Sequence, residues 1–411
     1  MPHSAFQSDL LTRFKAVRAW SETLVSPLET EDFVAQPMPD ASPTKWHLAH
    51  VTWFWETFLL KPHLPAYQAL FPEYEILFNS YYNAVGPQFP RAHRGTITRP
   101  TVAQTFDYRR HVDEAMEELL TSTEDDLTAL VELGLNHEQQ HQELIATDLK
   151  FLLSCNPLTP IYQEQPRAQR VPAAQSWIGH DGGLVEIGYG GKGFSFDNEG
   201  PLHRVWLEPF ELSSRLASCG EWLEFIDDGG YERSELWLSA GWNMVQSQGW
   251  TAPLYWQQGE GGWQHFTLSG LRAVDPNEPV AHLSYFEADA FARWSGARLP
   301  TEFEWEALCG NAPIEGNFAE SGLLHPRAST REFEPFGNLW QWTRSQYSPY
   351  PGYRADEGAL GEYNGKFMCN QFVLRGGSCA TPQSHIRASY RNFFPPDARW
   401  QFAGLRLARD V

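Results

Sequence analysis

The chain reads as an α+β protein of two domains, one a helical bundle and the other built from short strands and long ordered loops. Three observations predict this. Apolar residues recur at helical spacing through residues 1–155, an aperiodic proline-rich stretch fills 156–174, and from 175 to 411 the composition turns to Gly, Trp, Asn and short apolar runs. A chain of 411 residues also exceeds one ordinary core. The expected boundaries are therefore 1–155, a linker at 156–174, and 175–411.

Within the first domain four helices are expected. Phe6–Val25 places Leu10, Leu11, Phe14, Val17, Ala19 and Trp20 at helical spacing. Ser42-Pro43 offers a cap followed by proline at the first helical position, leading into Trp46–Leu60. Residues 72–100 are rich in Tyr, Asn, Gly, Pro and Arg and read as a long functional loop. Thr101–Leu120 and Thr123–Leu153 complete the bundle, a common host for metal sites on facing helices. The linker carries Pro157, Pro160, Pro166 and Pro172 and is expected to drape over the surface. Beyond it, helical pattern is expected only in Cys219–Asp227 and Tyr285–Ser295.

The formal charge of -20 argues against a nucleic-acid partner, because no basic patch is large enough to neutralise phosphates. Seventeen tryptophans suit either a loop-rich core glued by large rings or an aromatic-walled pocket. The five cysteines (Cys155, Cys219, Cys309, Cys369, Cys379) are odd in number and form no CxxC pair, which fits reduced thiols. Met1 leads into a polar start with no apolar h-region, and no apolar run reaches the ~20 residues of a membrane span. A cytoplasmic protein outside the membrane is expected; oligomeric state is left open.

The most informative segment is His137-Glu138-Gln139-Gln140-His141. On a helix, two imidazoles four residues apart project from one face and grip one ion, although two surface histidines would look the same. His50, in Trp46-His47-Leu48-Ala49-His50, is the third candidate. Three neutral imidazoles would leave coordination positions open, as a catalytic first-row metal requires.

Residues 175–411 resemble the formylglycine-generating-enzyme-like (sulfatase-modifying-factor) fold, a relative of the C-type lectin fold. The runs that carry the resemblance are Phe196-Asp197-Asn198-Glu199-Gly200-Pro201, Pro279-Val280-Ala281-His282-Leu283-Ser284, Arg298-Leu299-Pro300-Thr301-Glu302-Phe303-Glu304-Trp305-Glu306, Gly337-Asn338-Leu339-Trp340-Gln341-Trp342-Thr343, Val373-Leu374-Arg375-Gly376-Gly377-Ser378 and Gly404-Leu405-Arg406-Leu407-Ala408. The first domain resembles the DinB-like four-helix bundle, and the pairing resembles the sulfoxide synthases of ergothioneine biosynthesis. That resemblance implies a mononuclear non-haem iron enzyme, with Fe(2+) as cofactor and hercynine (trimethylhistidine), cysteine and O2 as substrates. The product implied is hercynylcysteine sulfoxide. It further implies His50, His137 and His141 as iron ligands. His47 stands where other members carry Asp and is expected to be a partly exposed capping or surface residue, with an orienting role on a ligand as the alternative.

The same resemblance places Gln140 against the hercynine side chain and Arg91 and Arg94 on the carboxylate of the thiol substrate, a task suited to a bidentate guanidinium. Asn392 and Phe393 fall where the family presents an Asn–aromatic pair to the α-carboxylate and trimethylammonium, for which an aromatic face is apt. One branch of the family has an Asp two residues after that Asn, gripping γ-glutamylcysteine; here Phe394 occupies the position, which implies the smaller thiol, cysteine. The proton-delivering phenol is implied to be Tyr81 or Tyr82, ahead of Tyr347, Tyr350, Tyr353 and Tyr363.

No Rossmann or P-loop fingerprint is present, in keeping with an oxidation that needs no reducing cofactor. The alternatives are the same chemistry on γ-glutamylcysteine, or a lectin-like binding protein with a structural zinc. Formylglycine generation would need a reactive cysteine pair, for which only Cys369 and Cys379 are close in sequence.

Overall fold

A computed structural model describes residues 2–122, 126–165 and 170–411, with side chains from Asp9 onward. It divides into two compact units, Met1–Pro157 with Asp356–Tyr363, and Leu158–Ala355 with Asn364–Val411.

The first unit is a bundle of four long helices: α1 (Pro2–Val25), α2 (Thr44–Trp55), α3 (Val102–Ser122) and α4 (Thr128–Ser154). The expected start of the last helix, Thr123, lies outside the described residues, as does Pro166 of the expected linker. α1 and α2 each pack against both α3 and α4. α2 is buried along its whole length, which explains why Trp46, Trp53, Phe54 and Trp55 surround its axis instead of forming one stripe. It runs on into a π-helical turn, Glu56–Leu60. The 72–100 loop holds a helical turn at Tyr74–Phe78 and a 3₁₀ segment at Arg91–Thr96.

Ser42 does not cap α2. The cap position is Pro43, which makes no side-chain cap hydrogen bond. Ser42 instead donates its N–H to Asp148 Oδ2 at 2.8 Å and accepts from Arg94 Nη1 at 2.9 Å. A buried carboxylate and a buried guanidinium outcompete the local cap.

The second unit carries a four-stranded sheet in the order Asn392–Phe394, Phe372–Arg375, Trp340–Gln346, Ala403–Gly404, antiparallel except for the last pair. Smaller sheets and helices surround a core rich in rings, among them Trp222, Trp305, Trp340 and Trp342. Beyond the expected pair, the described residues of this unit include the helices Ser239–Gln248 and Glu302–Cys309. Both are short, and Gly241 interrupts the helical signal of the first, where a Cβ would meet Phe286. The second opens with a capping box between Thr301 and Glu304, and turns Glu302 and Glu306 onto buried Arg375 and Arg391. That network accounts for Glu302, Glu306 and Arg375 of the family-like runs. Residues of the expected linker are hydrogen-bonded into this unit, with Tyr162 and Gln163 on Leu268 O and Ala173 on Ser329 O. Among the described residues no helix is long and apolar enough to cross a membrane.

Candidate metal centre

Both α2 and α4 turn histidines toward each other. His50, His137 and His141 each offer a ring nitrogen, all within 4.8 Å of one another. His50 Nε2 lies 3.2 Å from His137 Nε2, and the His141 ring is 4.7 Å from each of the other two. Two ligands of one ion at ~2.1 Å would stand ~3.0–3.4 Å apart, so this spacing fits a shared first-row cation. Burial holds all three imidazoles neutral, His137 down at about 4 and His50 and His141 well below the ordinary value. Ligation requires that neutral form.

The proton positions fit as well. His50 Nδ1 lies 2.5 Å from the carbonyl of Phe78, so it carries the hydrogen and leaves Nε2 bare. Trp46 stacks on His50 at 4.7 Å, Phe54 on His137 at 4.5 Å, and Arg94 lies 3.4 Å over Trp46. The rings are therefore clamped by aromatic walls. Among the described residues no fourth His, Cys, Asp or Glu joins the group.

One residue of this centre departs from its first expectation, and a second was not anticipated. His47 is neither exposed nor a cap: it is 3% exposed and hydrogen-bonded to both His141 and Asp148. Glu138, next to His137, is fully buried and faces the other way, toward α1. It accepts from Ser21 Oγ (2.7 Å), Trp55 Nε1 (2.9 Å), Arg18 Nη1 (3.0 Å) and Arg109 Nη2 (3.4 Å). Burial alone would raise its carboxyl, but the two guanidiniums overcome that and bring it to about 2. The available signal was Asp148, seven residues after His141 and so on the same helix face.

The loop residues divide. Arg94 is buried and held by Ser42 Oγ and by Ser80 Oγ at 2.8 Å; burial, with Arg91 nearby, lowers it to about 9. Arg91 is exposed and donates to Tyr81 Oη at 2.7 Å and to the Asp40 carbonyl. Tyr81 sits at φ 67, a left-handed conformation unusual for a ring-bearing residue. Tyr82 is buried against Trp53, Phe54 and Phe58, one ring away from His50 and His137, and burial raises its phenol. Tyr363 clusters with this unit, its ring 6.0 Å edge-on to Tyr81 and its phenol raised by burial to about 12. Gln140 is half-buried on α4 beside His141.

Asn392 and Phe393 lie in the second unit, on the edge strand of its four-stranded sheet. Asn392 Oδ1 accepts from Phe393 N at 2.9 Å, and Phe393 stacks on Tyr347 at 4.1 Å and 9°. Tyr347, Tyr350 and Tyr353 are committed to Asn198, Glu302 and Asp197. None of the five cysteines is in a disulfide; Cys369 is exposed and Cys379 buried. A second group in this unit, His265, Glu278 and His325, also brings ligand atoms within 4.8 Å. Glu278 and His325 already pair at 3.1 Å, and Arg170, Arg272 and Arg327 line the adjoining cavity, whose positive charge opposes a cation.

Fold and site together define a helical bundle whose facing helices bring three histidines together, joined in one chain to a sulfatase-modifying-factor-like domain. Family models agree: a DinB superfamily domain matches residues 13–145, and a sulfatase-modifying factor enzyme 1-like domain matches 162–332 and 333–411. The chain is 31% identical to the hercynine oxygenase of Mycobacterium tuberculosis over 96% of its own length and 97% of the relative's. It is 32% identical to that of Mycolicibacterium thermoresistibile over 91% and 88%. A formylglycine-generating enzyme of Streptomyces coelicolor matches 54% of the chain at 28% identity. The chain belongs to the hercynine oxygenase family and is an oxygenase enzyme.

Proposed function

We propose that the chain is an iron(II)- and O2-dependent sulfoxide synthase of ergothioneine biosynthesis. It joins the sulfur of cysteine to C2 of the hercynine imidazole and oxidises that sulfur to the sulfoxide. One O2 accepts four electrons, one oxygen atom going to sulfur and the other leaving as water. The observation that carries this reading is the convergence of three neutral imidazoles with no fourth protein ligand among the described residues. A structural zinc is usually closed by four protein ligands, whereas a catalytic centre keeps positions open.

His50, His137 and His141 would hold the iron, which when bound supplies the redox centre for O2 and thiolate. Arg91 and Arg94 would bind the carboxylate of cysteine, Arg94 from a site already braced by two hydroxyls. Gln140 would hold the substrate imidazole, because an amide both donates and accepts. Asn392 and Phe393 would meet the carboxylate and trimethylammonium of hercynine. Tyr81 or Tyr82 would deliver a proton from its phenol Oη, and burial, which raises the Tyr82 phenol, would keep that proton in place on Tyr82 until it is needed. Phe394 offers no acceptor to the ammonium of a γ-glutamyl group, which favours cysteine.

The test is anaerobic reconstitution with Fe(II), followed by hercynine, cysteine and O2, with the products read by mass spectrometry. Hercynylcysteine sulfoxide at one O2 per product supports the reading. Products lacking a carbon–sulfur bond refute it.

A further inference from the structure

His47 links a buried carboxylate to one histidine of the triad. Its Nε2 lies 3.0 Å from Asp148 Oδ2, and its Nδ1 lies 2.9 Å from Nδ1 of His141. The chemistry of the two ends fixes the direction of this chain. A carboxylate only accepts, so His47 Nε2 donates to it. In that tautomer His47 has a lone pair at Nδ1 and accepts from His141 Nδ1–H. His141 is left with its bare lone pair on Nε2.

The carboxylate is anchored from a third direction, since Asp148 Oδ2 also accepts the Ser42 N–H. His47 and Asp148 are 3% and 6% exposed, so neither group finds water in place of the other. A role confined to packing explains neither of them, because an unpaired carboxylate and imidazole are costly to bury where apolar side chains would fill the space. His50 has its own Nδ1 acceptor, the Phe78 carbonyl, so two of the three rings are fixed by the same device with different acceptors.

We infer that His47 and Asp148 are positioning residues that hold His141 in its Nδ1–H tautomer and orientation, presenting Nε2 to a divalent first-row cation. The inference rests on the proposed metal site and adds to it a residue pair acting through a ligand.

Replacing His47 by Asn or by Leu isolates the acceptor. The Asn Oδ1 is bonded to Cγ, as His Nδ1 is, so it stands where Nδ1 stood and still accepts from His141; Leu is similar in size and accepts nothing. Both lose the reach to Asp148, and the acceptor toward His141 is kept in the first variant and absent from the second. The full-length chain is titrated with Co(II) against a chelating dye, and the His141 tautomer is read in the metal-free protein by histidine-selective 15N NMR.

His47→Leu should weaken Co(II) binding roughly 10–100-fold, the range found when such ligand-orienting partners are removed. It should also mix the His141 tautomers, while His47→Asn keeps Nδ1–H and most of the affinity. A purely structural role predicts the reverse order, because a buried amide is tolerated less well than Leu. Equal affinity and equal tautomer in the two variants overturns the inference while the metal site stands, as loss of Co(II) in His50→Ala would show. No Co(II) binding by the unsubstituted chain is a separate result: it refutes the metal site and this inference with it.

Discussion

Replacing Glu138 by Gln tests whether the bundle that carries the triad is held by one buried charge. The carboxylate is fully buried between Arg18 and Arg109, which are 4% and 0% exposed. Removing its charge leaves guanidinium groups buried without their partner, a change that typically costs ~3–5 kcal/mol. Here the loss belongs at the lower end, since Arg18 keeps Asp113 at 2.6 Å and Arg109 keeps the half-exposed Glu22 at 3.6 Å. The depressed carboxyl gives a second route to the figure. A carboxyl moved from 4.5 to about 2 contributes about 3 kcal/mol of stability in its charged form. Because the folded value is depressed, that stability is full above the unfolded value near 4.5 and is lost as pH falls through about 2. Hydrogen exchange of the α4 amides, read by mass spectrometry at neutral pH, should show opening easier by ~3 kcal/mol in Glu138→Gln. Between pH 4.5 and 2 the variant should show a shallower fall in stability than the parent chain. A loss under ~1 kcal/mol, with parallel pH curves, would refute the role given to this carboxylate.

Three further outcomes are expected. His137→Ala and His50→Ala should each abolish stoichiometric iron by elemental analysis while the helical circular dichroism persists; stoichiometric iron in both would refute the site. Cysteine should be preferred over γ-glutamylcysteine by at least ~10-fold in kcat/KM, about 1.4 kcal/mol, and Phe394→Asp should narrow that margin in a competition assay. Tyr81→Phe and Tyr82→Phe should be compared by product analysis: the residue that delivers the proton is the one whose loss diverts the thiol toward its sulfinic acid while iron and substrates still bind, and unchanged sulfoxide yield in both and in the double variant moves the role to Tyr363.

Local spacing suggested the two-domain class and picked out the three candidate histidines, and the family resemblance supplied their reading as iron ligands. His137 and His141 share a face at any helical i, i+4 spacing, and His50 lies in an apolar run that reads as helix without tertiary information. The misread positions are those whose partners are distant in sequence. Ser42 looks like a cap, yet its N–H finds a carboxylate 106 residues away. His47 looks like a surface residue because its two partners lie 94 and 101 residues on. Tyr363 sits in the second half of the chain, but Asp356–Tyr363 cluster with the bundle, where Glu362 accepts from the Asn83 and Ala84 N–H groups. Local propensity carries no signal for such pairings.

On α4, adjacent residues serve opposite purposes. His137, His141 and Asp148 face α2 and its histidines, whereas Glu138 and Gln142 face α1, Gln142 donating to Val17 O and Ser21 Oγ. Consecutive side chains on a helix diverge by about 100°, so ligands and anchor are set by one rotation of one helix. That rotation couples them mechanically without mixing their chemistry. Loss of a ligand removes metal and leaves the anchor in place, so stability of the metal-free bundle should be nearly unchanged in His137→Ala. Loss of the anchor leaves three intact imidazoles on a helix less firmly held, so Glu138→Gln should bind metal when folded and lose it only as the bundle opens. Metal affinity and bundle stability should therefore move separately in the two variants, although the residues replaced are neighbours in the chain.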